Sequence, residues 1–355
     1  MDPRTSLIPP IFLLAALSVL PARCPAASSG PVETPGRRLF QKGVAFTGYS
    51  RYAYAGEKPL LSLKALGQTG ANWVSILATW YQDTADSTSI QPAGDLTPSD
   101  ASVGDLIVSA RGLGLKVMLK AHVDLLDDAA HYRGEIGPRF TAADWAAWFD
   151  SYRAFILHYA RIARDFGAEQ FCVGCELGST VSHETEWRNL IALVREVYKG
   201  PLVYADDQIE KNPGAVVFWD AVDFIGIDAY PTLTRMVHPS LQSLRRGWLN
   251  YLQRLRDLAD RWRKPLILTE IGYRSVEGGA QNPWDWQREG PVDLGVQETC
   301  YEAALLMTRG RPWLAGVYFW QWLPDPRHGG RLDTGYSPHR KPAERVLRSW
   351  FRKRR

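Results

Sequence analysis

The chain is poor in sulfur. Four cysteines and four methionines stand among 355 residues, too few for a disulfide scaffold. Seven histidines are scattered, and neither HxH nor HExxH occurs, so the usual zinc spacings are missing and no metal is expected. There is no GxSxG elbow, no GxxxxGK phosphate loop and no GxGxxG after a strand. Serine-hydrolase, nucleotide-triphosphate and dinucleotide chemistry therefore lack their parts, and no cofactor is expected. No short repeat or low-complexity block appears. No basic-aromatic array suggests nucleic acid, and the net charge is only +4, part of it the terminal "RKRR".

One long apolar run exists, "LIPPIFLLAALSVLPA" at 7–22, behind Arg4 and before the small residues "AASSG". It reads as a signal peptide over 1–27, cleaved near Ala26 or Ala27, with a barrel domain over 28–355 and a secreted or periplasmic destination. Pro9 and Pro10 break the run, and it is short for a membrane span, so stable membrane insertion is not expected. Losing the leader removes Cys24. Cys172 and Cys175 sit in a strand-like run with no second CxxC, and with Cys300 they read as structural thiols.

What is abundant is apolar and aromatic material: 45% hydrophobic residues and fourteen tryptophans. Continuous apolar runs occur at 42–46, 71–77, 115–120, 170–175, 201–205, 222–228, 265–269 and 314–319. Such runs suit parallel strands covered on both faces. Helical patterns alternate with them at 58–68, 97–112, 141–167, 184–199, 239–262, 294–309 and 341–352, with a less regular stretch at 209–220. Thr97 and Pro98 read as one helix start, and Thr141 with Asp144 as a capping pair. The alternation predicts an α/β chain, a single-domain (β/α)8 TIM barrel. An open doubly wound sheet would want a glycine-rich turn after its first strand, and "GVAFTGYSRY" offers none.

Two strands end in a glutamate: "CVGCE" at Glu176 and "PLILTE" at Glu270. Barrel active sites lie at the C-terminal strand ends. Alternation would put Glu270 on the face of Leu266 and Leu268, and Glu176 on that of Cys172 and Gly174, both into the mouth. Paired carboxylates around a cleft serve glycoside cleavage, one giving a proton and the other supporting or attacking the anomeric carbon. His122 and Asp124 follow the third strand, and hydroxyl contacts to sugar suit them better than a metal does. Asp206 and Asp207 stand similarly after the fifth. Trp80, Tyr81, Trp284 and Trp286 fall in expected mouth loops, where flat rings can line sugar subsites.

The segments "GCELGS", "DFIGIDAYP", "ILTEIGYRS" and "GVYFWQW…YSPHRKPA" resemble clan A glycoside hydrolases, and most of all family 113, the β-mannanase type. The resemblance runs from about 40 to 352. It implies Glu176 as acid/base, Glu270 as nucleophile and retaining, endo-acting hydrolysis of β-1,4-linked mannan. A monomer is expected. It also implies Tyr230 as a donor to the nucleophile and Trp320 as a sugar platform; Trp322, ending the same strand, is a further candidate for sugar stacking. Asp228, on the strand of Tyr230, is a candidate for sugar binding or pairing with a base. One position departs. Most of the clan has asparagine directly before the acid/base, binding the sugar 2-hydroxyl, and here Cys175 stands there. That keeps two alternatives open: a polysaccharide-binding barrel that does not cut, and a hydrolase of glucan, xylan or an exopolysaccharide.

Overall fold

The computed structural model describes residues 39–127 and 130–353. The expected leader lies outside them. No helix among the described residues is long and apolar enough to cross a membrane.

Strands β1 (Gln41–Phe46), β2 (Trp73–Gln82), β3 (Lys116–Leu125), β4 (Gln170–Cys175), β5 (Leu202–Asp206), β6 (Phe224–Ala229), β7 (Leu266–Ile271) and β8 (Leu314–Trp322) are all parallel and close in sequence order, β8 pairing with β1. Around them run α1 (Glu57–Gly67), α2 (Asp100–Gly112), α3 (Ala142–Phe166), α4 (Glu184–Val197), α5 (Leu241–Trp262), α6 (Leu294–Thr308) and α7 (Pro342–Phe351). The architecture is the (β/α)8 barrel. Between β5 and β6 the connection carries only a 3-10 turn, Trp219–Ala221, where a helix over 209–220 was expected.

The core has two layers. Trp73, Met118, Cys172, Val203, Phe224, Ile267 and Tyr318 fill the barrel interior, and a larger apolar cluster packs the strands against the helices. Helix ends follow local chemistry. Thr141 and Asp144 form a reciprocal capping box on α3, and Gly167 closes it in the left-handed conformation. Helix α2 starts later than the Thr97–Pro98 pair suggested: Ser99 is its N-cap and accepts from the Ser102 N–H. Thr97 instead donates its hydroxyl to the Thr79 carbonyl, at 2.8 Å.

Strands β2, β3 and β8 run further toward the mouth than their apolar runs indicated. β2 and β3 pair without interruption from Trp73–Lys116 to Gln82–Leu125. The β6–β7 register shifts between Ile227 and Asp228, and the β7–β8 register between Leu268 and Ile271. Those irregularities sit where the acidic side chains project.

Candidate active site

Simple alternation does not place the two glutamates. Leu266 and Leu268 pack outward with the helices, while Ile267 lines the interior. Past the register shift both Thr269 and Glu270 turn inward, and both reach one network. Glu176 follows β4 with a positive φ of 55°, rare for a residue with a Cβ. Its N–H still reaches the Ala205 carbonyl at 2.8 Å. The left-handed turn aims its side chain at the mouth rather than continuing the pleat of Cys172. The expected location of both groups therefore holds, for a different local reason.

Glu176, Asp228 and Glu270 each bring a carboxylate oxygen within 4.8 Å of the others. A cation already stands among them. Lys120 of β3, fully buried, donates to both Asp228 oxygens at 2.9 Å and to Glu270 Oε1 at 2.5 Å. Burial pulls its ammonium down, but Asp228 foremost, with Cys175 and Glu270, holds it well above the ordinary lysine range. The acidic cluster thus has the charge partner that a buried metal would otherwise provide. Asp228 also accepts from Thr269 Oγ1 at 2.7 Å and from Cys175 Sγ at 3.2 Å.

The two glutamates differ in their partners. Glu270 takes Lys120 on Oε1 and the Tyr230 hydroxyl on Oε2, the latter at 2.6 Å. Burial, then Asp228, raises its pKa, while Lys120 and Tyr230 pull it back. Tyr230 itself is held above the usual phenol range by burial and then Glu270, so it stays a donor. Glu176 accepts from Arg133 Nη1 at 2.9 Å on Oε2, and its side chain is 16% exposed. Burial lifts its pKa well above the carboxylate range, with Arg133 opposing.

His122 is buried at the end of β3, its Nε2 3.9 Å from Glu270 Oε1 and without a hydrogen-bond partner among the described residues. Burial, then Arg133 and Lys120, keeps its ring neutral. It lies parallel to Trp320, centroids 6.5 Å apart at 5°. Asp124 is held by Arg133 Nη2 at 2.8 Å.

Two of the expected sugar-binding tryptophans are elsewhere. Trp322 is fully buried, donates to Ser62 Oγ at 2.9 Å and packs on His339. The β1–β8 register slips between Val44 and Phe46, so Trp320 and Trp322 do not share an environment. Trp80 lies on the outer face of β2 against Phe155 and His158 of α3. Trp284 and Trp286, in the loop after β7, are 59% and 61% exposed. Tyr81 is buried within electrostatic reach of Asp124 and Arg133. Asp206 is buried beside Asp207 and within electrostatic reach of Asp228, with Oδ1 lacking a partner among the described residues. Cys172, Cys175 and Cys300 are free and buried, as expected of structural thiols. Sequence reasoning missed Lys120 and Arg133. A lysine inside the apolar run "LKVML K AHV" was the available signal for the first. Nothing in "HYRGE" marked the second.

Comparison with known proteins agrees with this geometry. The model of Glycoside Hydrolase Family 113 matches residues 45–341. A solved family 113 β-1,4-mannanase complex is 30% identical with a TM-score of 0.80, covering 89% of this chain and 100% of that one. The family 113 β-mannanase AaManA from Alicyclobacillus acidocaldarius, in complex with ManMIm, is 32% identical with a TM-score of 0.79, covering 88% and 97%. A family 5 mannosidase from Rhizomucor miehei, 11% identical with a TM-score of 0.63, shares the fold. A search of curated proteins found no match. A match over most of the barrel, at this identity to family members solved over their whole length, assigns the chain: it belongs to glycoside hydrolase family 113 and is a glycoside hydrolase.

Proposed function

We propose that the chain is a retaining endo-β-1,4-mannanase, with Glu176 as acid/base and Glu270 as nucleophile. The observation that carries this reading is the approach of the two carboxylates to within 4.8 Å, oxygen to oxygen, with unequal donors around them. Retaining enzymes keep their carboxyl groups about 5–5.5 Å apart, while inverting ones leave about 6.5–9.5 Å for a water. Lys120 and Tyr230 favour the ionised form of Glu270. Burial favours the protonated form of Glu176.

In the first step Glu176 gives its proton to the glycosidic oxygen as that bond breaks, and a Glu270 oxygen bonds to C1. In the second, Glu176 takes a proton from water, whose oxygen displaces Glu270 with net retention. Trp320, partly exposed at the end of β8, offers a flat face to the reacting sugar, with the neutral His122 ring parallel to it. Mannan is the substrate favoured by the two family members named above, each described as a β-mannanase. Exposed aromatics on three mouth loops, Tyr49 and Tyr52, Tyr132, and Trp284 and Trp286, support an extended glycan cleft. The leader-like segment at 7–27 favours an exported enzyme, and N-terminal sequencing of the mature chain, expected to start near Ser28, tests the export.

The test is a panel of defined β-1,4-linked manno-, gluco- and xylo-oligosaccharides, with products read by mass and by anomeric NMR. β-Configured products from internal cleavage of mannooligosaccharides are expected. α-Configured first products overturn the retaining assignment, and preference for gluco- or xylo-oligomers overturns the substrate. In Glu270→Ala hydrolysis should vanish and azide should restore turnover. Full activity in that variant rejects the nucleophile.

A further inference from the structure

The described residues between β3 and α3 are tied down on three sides. Toward β2, the Leu126 and Gly137 N–H groups reach the Gln82 and Ala85 carbonyls at 3.0 and 2.7 Å. The Arg139 N–H and Nε reach Asp86 at 3.1 and 2.8 Å. Toward β4, Ser179 Oγ donates to the Ile136 carbonyl at 2.6 Å. Toward β5, Gln208 Nε2 donates to the Tyr132 hydroxyl at 3.1 Å, and that hydroxyl lies 3.4 Å from Asp207. At its centre the 3-10 turn Arg133–Glu135 presents one side chain to the mouth.

That side chain is Arg133. Nη1 donates to Glu176 at 2.9 Å and Nη2 to Asp124 at 2.8 Å, while Nε is buried with no partner among the described residues. A planar guanidinium bound at both ends fixes an orientation that a point charge would not. Asp124 belongs to β3, so the arginine ties the Glu176 carboxylate to a rigid strand through the anchored loop.

We propose that Arg133 is a positioning residue for Glu176, setting the direction in which that carboxyl faces the glycosidic oxygen, with Asp124 holding the arginine in place. This rests on the reading of Glu176 as acid/base. Misplacement of a reacting group by about 1 Å costs up to roughly 100-fold.

The experiment compares Arg133→Met, Arg133→Lys and Asp124→Asn with the parent on two aryl β-mannosides, one with an activated dinitrophenyl group and one with a poor leaving group. An activated leaving group departs without a proton, so only acid catalysis separates the two substrates. Expected for Arg133→Met is a loss of about 10- to 100-fold on the poor leaving group and little change in the first step on the activated one. Arg133→Lys and Asp124→Asn should lose less. Glu176 is also faced by Asp207, Asp228 and Glu270. Arg133 is the group that opposes its raised pKa, so its removal moves the alkaline limb of kcat/KM to higher pH. Equal losses on both substrates in correctly melting variants, with an unmoved limb, overturn the proposal and leave Arg133 a loop anchor. A Glu176→Ala control keeps the two readings apart. Azide rescue on the activated substrate upholds the acid/base whatever Arg133 does, and absence of any loss in that variant removes the acid/base assignment itself.

Discussion

The Cys175 thiol faces the Asp228 carboxylate, Sγ to Oδ2 at 3.2 Å. The residue that stands where most of the clan has asparagine is thus part of the buried network beneath the cleft, fully enclosed and held above the ordinary thiol range by burial first. Asp228 keeps Lys120 and Thr269 without it.

Cys175→Ala should therefore retain kcat/KM within a few-fold and lose about 1 kcal/mol of stability, the usual worth of one modest hydrogen bond. Denaturant melts and steady-state kinetics on mannooligosaccharide measure both. A loss of two orders of magnitude in kcat would show that the thiol touches the sugar. In the folded parent, iodoacetamide should leave Cys175 unlabelled by mass spectrometry, because the thiolate is the reactive form.

Lys120 neutralises two buried carboxylates at once, so its removal is costly. Lys120→Met leaves Asp228 and Glu270 facing each other without a cation, and a broken buried pair destabilises by about 3–5 kcal/mol. Glu270 then also loses a group that lowers its pKa. With Glu270 in its proposed role as nucleophile, turnover needs it ionised, so any residual activity should show its acidic limb moved to higher pH. Unchanged stability and an unchanged limb would mean the ammonium is dispensable.

Trp320 and Trp322 are two residues apart and should behave oppositely. Trp320→Ala removes a partly exposed ring beside His122 and should lower kcat/KM by about tenfold or more, equivalent to ~1.4 kcal/mol, with little change in melting. Trp322→Phe loses the bond to Ser62 in a closed core. It should cost about 1–3 kcal/mol of stability and leave kcat/KM near the parent value when assayed well below the melting temperature.

These two tryptophans also mark how far the sequence could be read. Uninterrupted apolar runs announced the barrel, because parallel strands buried on both faces leave no other pattern. Glutamates at strand ends announced the mouth. Side-chain direction there was not legible, since it depends on register shifts at Asp228 and Glu270 and on the left-handed backbone of Glu176, neither of which has a residue-type signature. Trp80 was read as a loop residue because the apolar run of β2 fades before the strand ends. Lys120 and Arg133 act through partners 108 and 43 positions away, Asp228 and Glu176, and pairing at that distance leaves no trace in one sequence.

Asp206 offers the last test; it stands on β5 within electrostatic reach of Asp228. Burial first, then Asp207, pushes its carboxyl up to about 8. An unfolded aspartate titrates near 3.9. The folded chain therefore binds the proton more tightly, and stability declines as pH rises from about 4 through about 8. The contribution is fully present below the unfolded value and gone above the folded one. Asp206→Asn keeps a neutral group of the same shape and cannot ionise. Parent and variant should melt alike near pH 4, while near pH 9 the variant should be more stable, by on the order of a few kcal/mol. Melting curves recorded across that range decide the matter: parallel lines for the two proteins would mean that Asp206 is already ionised in the folded state at acid pH and that its surroundings supply a donor to the orphaned Oδ1.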